Sequence, residues 1–344
     1  MENGIKIAQT ITEMGFDCDC VKGVVSPRFE IYYFKLKNPY HINMFGAKQI
    51  KVLEQVYSTR FMFDNNMVDY SFSIAFEHKD FVLPFKFDKP NDYKHEWVYI
   101  GKDTQNNDVR LDFYNETKHL LIGGTTGAGK SSFIHSIILG LVLSGLNVVD
   151  RKGHTTPYIY LFDPKKVEFS KYDCLPCCSV EIDTRKIAER LEMLVGVMEQ
   201  RLTMLEKNGY TDYKEMNIPA LFIFIDELAD LVMCGEPTIE KNITRLAQLG
   251  RSAGIHLIIA TQNPIAKVLT SLIKANMTTR IALQCATKMS SVVMLDHIGA
   301  EKLLGKGDAL LKLPSKTTEV RLQGCYCSPE RVKELINLAN SNLF

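Results

Sequence analysis

Short apolar runs alternate with longer segments of helical periodicity over most of this chain. The runs lie at 119–122, 158–162, 220–225 and 256–260, and helical spacing is clearest over 132–139, 185–207 and 239–252. An unbroken apolar run is typical of a strand buried on both faces, and strand–helix alternation is typical of a mostly parallel sheet with helices on both faces. The pattern therefore predicts an α/β fold for residues 98–344.

Residues 1–97 have a different pattern. A run rich in Phe, Ile and Tyr at 28–35 predicts a strand, and the apolar positions between 46 and 57 have helical spacing. These residues therefore predict a small α+β domain in front of the larger one.

Two local signals mark the junction between the predicted domains. The polar, proline-containing stretch 89–94 predicts a linker. Beyond it, 99–102 and 109–112 flank the polar residues 105–108, which predicts a hairpin. The predicted domain boundary is therefore at 97/98.

Composition narrows the class of protein. The chain has 344 residues, of which 46% are hydrophobic and 24% charged, as expected of a globular protein with sizeable cores. Its most membrane-like segment, 131–149, is interrupted by His135 and by small polar residues, so it predicts a buried helix. We expect a cytoplasmic protein with no membrane segment of its own.

The nine cysteines raise the question of a zinc site. Cys174 and Cys177 form one C-x-x-C, but no second pair and no histidine pair completes a tetrahedral set. Free thiols in a reducing cytoplasm are the better interpretation.

Candidate chemistry begins directly after the run at 119–122. The next segment matches the phosphate-loop pattern G-x-x-x-x-G-K-[ST] at every fixed position. Its glycines let backbone N–H groups point at phosphate oxygens, and the helix that follows adds its positive end. We expect Lys130 to reach the β- and γ-phosphates of ATP and the Ser131 hydroxyl to ligate Mg²⁺. The predicted nucleotide-binding residues are Gly124, Thr125, Thr126, Gly127, Ala128, Gly129, Lys130, Ser131 and Ser132.

A second motif follows the apolar run at 220–225. Asp226 and Glu227 end that predicted strand, which is a Walker B pattern. Asp226 is expected to hold the Mg²⁺ shell, and Glu227 to orient and polarise the attacking water. An acidic pair after a strand also suits a helix N-terminus, and the two roles are compatible.

The net charge of +1 hides an asymmetry. Between 241 and 334 there are fourteen Lys or Arg and six Asp or Glu residues, a net charge of +8 against −7 for the rest of the chain. Such segregation suggests that one face meets a polyanion, although basic residues spread over helices can also simply be solvated.

The order of the motifs identifies a family. With the phosphate loop come the following segments: Asp163-Pro164-Lys165, Asp226-Glu227-Leu228-Ala229-Asp230-Leu231, and residues 251–262, 272–276, 279–282 and 299–308. In this series the chain resembles the FtsK/SpoIIIE family of DNA-translocating ATPases. The resemblance covers nearly the whole chain and includes residues 25–30 and 101–103 of the N-terminal part.

The resemblance implies a RecA-like P-loop ATPase motor that forms a hexameric ring. In that family double-stranded DNA passes through the centre of the ring, and ATP is hydrolysed with Mg²⁺ between subunits. By matching position, Gln262 is expected to sense the γ-phosphate. Arg280 is expected to be the arginine finger supplied to a neighbour's ATP, with Arg251 as the second choice. The alternative for Arg280 is a surface arginine beside a strand.

The same resemblance implies that the basic C-terminal part faces the central channel. Lys302, Lys306 and Lys316 lie in that part, so we expect them to contact DNA phosphates. Plain solvation of these lysines is the alternative.

The chain also departs from the family. Relatives usually carry Asp-Ser-Arg where this chain has Ser290-Ser291-Val292, so we expect one charge pair of the family to be missing. We also expect no counterpart of the membrane-spanning N-terminus or of the orientation-reading winged-helix domain of the division and sporulation proteins. We therefore expect a bare motor encoded by a plasmid, an integrative element or a phage.

Other functions stay open at this point. The leading interpretation is a motor that moves double-stranded DNA in transfer, packaging or segregation. A conjugative coupling ATPase would act on single-stranded DNA and its bound relaxase, and a type VII-like ATPase would secrete protein. A nucleotide-gated module that assembles on DNA and hydrolyses slowly is the fourth; Asp226, Glu227 and Gln262 argue against it.

Overall fold

A computed structural model of the chain describes residues 1–59, 61–66, 71–77, 83–85, 97–144, 157–233 and 236–342. The chain divides into two compact units. The N-terminal unit consists of Met1–Leu83 and Lys102–Asp108, and the larger unit of Pro84–Gly101 and Val109–Phe344. The linker predicted at 89–94 lies outside the described residues, and the domain boundary at 97/98 stays a prediction.

The N-terminal unit is built on a four-stranded antiparallel sheet with the strand order β1-β2-β4-β3. Its elements are α1 (Glu2–Glu13), β1 (Cys18–Val25), β2 (Phe29–Leu36), α2 (Ala47–Tyr57), β3 (Phe61–Asn66) and β4 (Ser71–Glu77). The strand predicted at 28–35 and the helix predicted at 46–57 are confirmed as β2 and α2. Stacked aromatic rings fill the core, with 4.5 Å between the ring centroids of Phe45 and Phe72 and 5.2 Å between those of Phe34 and Phe72.

The larger unit contains a ten-stranded sheet with the order β6-β5-β14-β13-β12-β7-β11-β10-β8-β9. Its strands are β5 (Trp97–Asp103), β6 (Asp108–Asp112), β7 (Leu120–Gly123), β8 (Ile159–Phe162), β9 (Cys178–Glu181), β10 (Leu221–Ile225), β11 (Ile255–Thr261), β12 (Thr279–Leu283), β13 (Asp308–Lys312) and β14 (Val320–Gly324). From β12 to β9 the neighbouring strands are parallel, and β13 and β14 extend the sheet antiparallel. The mostly parallel α/β sheet and the β5–β6 hairpin are confirmed.

The helices of the larger unit connect these strands. They are α3 (Lys130–Leu143), α4 (Thr184–Asn208), α5 (Leu228–Met233), α6 (Pro237–Ala253), α7 (Ser271–Asn276), α8 (Lys288–Leu295) and α9 (Pro329–Asn342). Eleven of the fourteen residues of α3 are buried, so the apolar helix after the phosphate loop is a core helix in its described part. No helix within the described ranges is long and apolar enough to span a bilayer.

The order of the parallel strands fixes where the motifs meet. Strand β7 lies between β12 and β11, and β10 lies on the far side of β11. The carboxyl ends of parallel strands lie at one edge of a sheet, which is where ligands bind in open α/β folds. The phosphate loop follows β7, Asp226 and Glu227 follow β10, and Gln262 follows β11, so all of them reach this edge.

Candidate nucleotide site

The phosphate loop needs its glycines for conformation and for space. Gly127 and Gly129 have φ angles of 78° and 112°, in the left-handed region that disfavours other residues. A Cβ atom on Gly129 would lie 2.7 Å from the backbone nitrogen of Gly307. That nitrogen donates a 2.7 Å hydrogen bond to the carbonyl of Ala128. The loop is therefore packed tightly against the turn that contains Gly307.

The rest of the loop is anchored to neighbouring strands. The backbone N–H and the hydroxyl of Thr125 both donate to the carbonyl of Gln284, just beyond β12, at 2.9 and 3.1 Å. Gly124 N–H donates to the carbonyl of Thr261 in β11. Ser132 is half-buried in the first turn of α3. These contacts hold the loop in position at the sheet edge.

Lys130 and Asp226 meet beneath the loop. The Lys130 Nζ lies 3.9 Å from Asp226 Oδ1 and donates to the Asp226 backbone carbonyl at 3.3 Å. Both side chains are about 5% exposed. Burial raises the pKa of Asp226 to about 6, despite the opposing attraction of Lys130. The predicted loop lysine and Walker B aspartate are therefore brought together.

The residues at this point fit Mg²⁺. Asp226 Oδ1 is buried and, among the described residues, has no hydrogen-bond partner, so it is available to a cation. Within the described ranges no group of three or more His, Cys, Asp or Glu residues could hold a metal by itself. Magnesium characteristically takes one or two protein oxygens together with phosphate oxygens and water, and Ser131 and Asp226 would be its protein ligands here. The eight cysteines in the described part of the chain are free thiols.

The Ser131 hydroxyl is hydrogen-bonded to a residue that the sequence analysis missed. It donates to Glu168 Oε1 at 2.8 Å, and Glu168 Oε2 lies 3.1 Å from His135 Nε2. The hydrogen bond from His135 holds the pKa of Glu168 at about 2, while burial lowers the pKa of His135. Glu168 is therefore a carboxylate, and burial disfavours the charged form of His135. Glu168 follows Asp163-Pro164-Lys165 by three residues, and that proximity is the only sequence signal that could have pointed to it.

Glu227 and Gln262 form a connected pair. Glu227 is buried, and its carboxylate accepts from the Thr261 hydroxyl and from the Gln262 N–H, each at 2.7 Å. The Gln262 side-chain oxygen in turn accepts from the Thr126 hydroxyl of the phosphate loop at 2.9 Å. The end of β11 thus joins the Walker B carboxylate to the loop. This is the geometry needed by a residue that reports the state of the γ-phosphate to the residue that orients water.

Arg280 is engaged within its own chain. It is 7% exposed, and its guanidinium donates to the carbonyls of Met277, Met294 and Lys274 and to Asp296 Oδ2, at 2.8 to 3.0 Å. Such a network gives Arg280 a structural role, and its finger role stays a prediction. Arg251, the second choice, lies exposed near the end of α6.

The three lysines predicted to bind DNA are all exposed, but they do not lie in similar places. Lys302 lies in a 3₁₀ turn at Ala300–Lys302, and Lys316 follows β13. Lys306 has a φ of 49° and directly precedes Gly307, whose backbone contacts the phosphate loop. The structure therefore places Lys306 beside the nucleotide site; its DNA contact stays a prediction.

Comparison with known proteins supplies the family. The model of the FtsK/SpoIIIE family matches residues 88–218 and 211–266. The chain is 36% identical over 274 residues to a DNA translocase FtsK of Staphylococcus epidermidis, a match covering 74% of this chain and 33% of that protein. It is 38% identical over 261 residues to a DNA translocase FtsK of Leptospira interrogans, covering 70% of this chain and 26% of that protein. The match thus spans about a third or less of each relative.

Solved structures show the same fold. The conjugation coupling protein TcpA of pCW3, in a monomer form with ATPγS, has a TM-score of 0.69 at 22% identity; the match covers 98% of this chain and 99% of that one. The cytoplasmic domain of the type VII secretion ATPase EccC of Thermomonospora curvata has a TM-score of 0.62 at 24% identity, covering 75% of this chain and 32% of that one. These similarities confirm the P-loop ATPase fold.

Proposed function

The chain belongs to the FtsK/SpoIIIE family, and we propose that it is an ATPase that uses the energy of ATP hydrolysis to move double-stranded DNA. The observation that carries the proposal is the hydrogen-bonded line from Thr126 through Gln262 to Glu227. It links the loop that would hold the phosphates to the carboxylate that would orient water. A site that only bound nucleotide would not need this connection.

Each residue at the sheet edge has a role in this chemistry. The loop N–H groups and Lys130 bind the triphosphate. The Ser131 hydroxyl and the Asp226 carboxylate would hold Mg²⁺, which would neutralise charge on the phosphates. Glu227 orients the attacking water and accepts its hydrogen bond. Gln262 contacts the γ-phosphate and moves with its loss, which changes the hydrogen bond to Thr126.

Assembly into a hexameric ring completes the proposal. Hydrolysis between subunits needs a cation from the neighbour, and Arg280 is the residue that matches the family position. The buried network around Arg280 supports a second role for it, that of holding the start of β12 and the end of α8 together. A cytoplasmic location belongs to the same proposal.

DNA is the proposed substrate for two reasons. The relatives that match at 36% and 38% identity are DNA translocases. The segment 241–334 also carries a net charge of +8, which suits a phosphate backbone better than a protein substrate. Lys302 and Lys316, both exposed, are the proposed phosphate contacts, together with Lys306 if the channel reaches the nucleotide site.

The deciding experiment compares ATPase rates of the full chain with duplex DNA, with single strands and without DNA. The proposal expects stimulation by the duplex and little by single strands, at equal nucleotide concentration. Stronger stimulation by single strands would favour a coupling ATPase. A rate that responds to neither DNA would exclude both DNA motors and favour a protein-secretion ATPase. Asp226→Asn serves as the inactive control in all three arms.

A further inference from the structure

The Ser131 hydroxyl belongs to a line of hydrogen bonds that runs into the core. Ser131 Oγ donates to Glu168 Oε1 at 2.8 Å, Glu168 Oε2 lies 3.1 Å from His135 Nε2, and His135 Nδ1 lies 3.0 Å from the Tyr172 hydroxyl. His135 and Tyr172 are buried, at 5% and 0% exposure. A phosphate-loop serine is thus connected to the interior through one carboxylate.

The donors along this line can be assigned. A carboxylate only accepts hydrogen bonds, so Ser131 donates to one oxygen of Glu168 and the Nε2–H of His135 donates to the other. The Nδ1 of His135 then accepts from the Tyr172 hydroxyl. The Lys171 ammonium lies 3.4 Å from His135 Nε2. It adds positive charge near the Glu168 carboxylate but is not one of the donors in this line of hydrogen bonds.

The segment that carries Glu168 is fixed by a second carboxylate. Asp163 Oδ2 accepts from the backbone N–H groups of Glu168 and Phe169 at 2.8 and 2.9 Å. Asp163 and Phe169 are both fully buried. The position of Glu168 beside Ser131 is therefore set by the fold and not by a flexible loop.

We propose that Glu168 is a positioning residue for the bound Mg²⁺. A serine hydroxyl that ligates a cation offers a lone pair to the metal, so its O–H must point away from the metal. Here the O–H of Ser131 donates to Glu168, which leaves a lone pair of Ser131 free to face the nucleotide side. Partners that orient a metal ligand in this way typically contribute about 10- to 100-fold to metal affinity.

The position of the Asp226 carboxylate supports this assignment. The Asp226 N–H donates to the carbonyl of Phe162 at 3.3 Å, so Asp226 lies next to the segment that begins with Asp163. The buried Oδ1 of Asp226 accepts no hydrogen bond from the described residues and lies 3.9 Å from Lys130 Nζ. A divalent cation there would be attracted by Asp226 directly and by Glu168 through its charge and through Ser131.

The inference rests on the proposed nucleotide site, and its test uses metal binding instead of turnover. Mn²⁺ replaces Mg²⁺, and its affinity for the complex of the full chain with ATPγS is measured by electron paramagnetic resonance. The variants are Glu168→Ala and Glu168→Gln, with Glu206→Ala, an exposed carboxylate of α4, as the matched control. Nucleotide affinity is also measured in EDTA, without any metal.

Glu168→Ala is expected to weaken Mn²⁺ binding by about 10- to 100-fold and Glu168→Gln by less, because an amide oxygen can still accept from Ser131. Affinity for ATPγS in EDTA should not fall, since loss of a carboxylate near a polyphosphate removes repulsion. Glu206→Ala should change neither affinity.

Unchanged Mn²⁺ affinity in Glu168→Ala would overturn the inference. A fall of the metal-free nucleotide affinity by the same factor, in Glu168→Gln as well, would also overturn it, because Glu168 would then only support the fold. If the wild-type chain does not bind ATPγS at all, the nucleotide site itself is wrong. Failure of DNA stimulation alone would leave the Mn²⁺ result intact, so the two proposals fail separately.

Discussion

The loop lysine and the Walker B pair at the phosphate-loop edge of the sheet are buried, whereas the basic segment 241–334 presents its predicted DNA contacts as exposed lysines. Lys130, Asp226 and Glu227 are at most 5% exposed. Lys302 and Lys316 lie open to solvent. Phosphoryl transfer needs groups fixed to fractions of an ångström, whereas attraction to a DNA backbone needs only charge near a surface. The contacts within the phosphate-loop edge therefore support specific roles for its residues, whereas exposure alone does not assign a role to the lysines.

The basic segment also uses part of its charge internally. Asp296 alone lies within 3.1 Å of cationic groups of Lys274, Arg280 and Lys312. Arg321 pairs with the buried Asp308 at 2.7 Å. A net charge read from the sequence therefore overstates the charge that is available to a partner, and individual lysines have to be tested.

The largest expected effect is at the phosphate loop. Lys130→Ala removes the cation at the β- and γ-phosphates and should lower turnover by about a thousandfold or more together with nucleotide affinity. Glu227→Gln should lower turnover similarly but still bind ATP, because Glu227 acts on water. Steady-state ATPase rates and nucleotide titrations separate the two. Normal turnover in Lys130→Ala would contradict the assignment of the ATPase site to this edge of the sheet.

The next effect concerns Arg280, which belongs to the basic segment by charge but is buried like the site residues. Arg280→Ala leaves three backbone carbonyls without their hydrogen-bond donor and removes one cation from Asp296. The free energy of unfolding should therefore fall by about 3 kcal/mol. Urea denaturation measures this, with Arg251→Ala, an exposed arginine, expected within about 0.5 kcal/mol of wild type.

A mixing experiment isolates the finger role of Arg280 from its structural role. Mixed rings of Arg280→Ala and Lys130→Ala contain some interfaces with an intact loop and an intact arginine, so part of the ATPase activity should return. If rings shown to contain both subunits stay inactive, Arg280 acts only inside its own chain.

Substitution of Asp226 is expected to raise the free energy of unfolding, in contrast to substitution of Arg280, and by a smaller amount. Its folded pKa is raised to about 6, so its contribution to stability is present at acidic pH and is lost as the pH rises through about 6. The raised value already includes the attraction of Lys130. Asp226→Asn should therefore be more stable than wild type at pH 7.5 by about 2 kcal/mol, and the gain should shrink towards pH 5. A gain that does not depend on pH would contradict this account of the buried carboxylate.

The smallest effect is in the exposed region. Each phosphate contact removed should reduce the slope of log affinity against log salt by about 1, so Lys302→Ala/Lys316→Ala should reduce it by about 2 on any duplex. Lys186→Ala/Lys207→Ala, which removes the same charge from exposed positions of α4, should leave the slope unchanged. Equal slopes in wild type and the first double variant would exclude these lysines from the DNA path. A strong preference for one of two unrelated duplexes would show that the chain reads bases.

Sequence could predict the parts of the site that lie in one local segment. The phosphate loop and the Walker B pair are each continuous, and each follows an apolar run whose buried strand is confirmed as β7 or β10. The observed strand ends differ from the predicted ones by about a residue. The run at 119–122, for example, predicted a strand that the structure has as β7 at Leu120–Gly123. His119 is buried but lies just before the strand, with its Nδ1 accepting from Leu257 N–H.

The remaining features depend on neighbours that are distant in sequence. Glu168 reaches Ser131 only because β8 brings its loop to the same edge as α3, and no spacing in the sequence encodes that. Lys306 lies beside the phosphate loop because β13 runs antiparallel next to β12. The carbonyls and the carboxylate that enclose Arg280 belong to α7, to α8 and to the residues that directly follow these two helices. The motif position of Arg280 therefore did not predict that it is buried.

The central claim is that ATP hydrolysis at this site moves double-stranded DNA. The direct measurement is displacement of a fluorescent third strand from a triplex placed at one end of a long duplex. Displacement of the third strand is expected to require ATP and a free length of duplex. It should stop with ATPγS and be absent in Glu227→Gln. Duplex-stimulated ATPase activity without any displacement would contradict it.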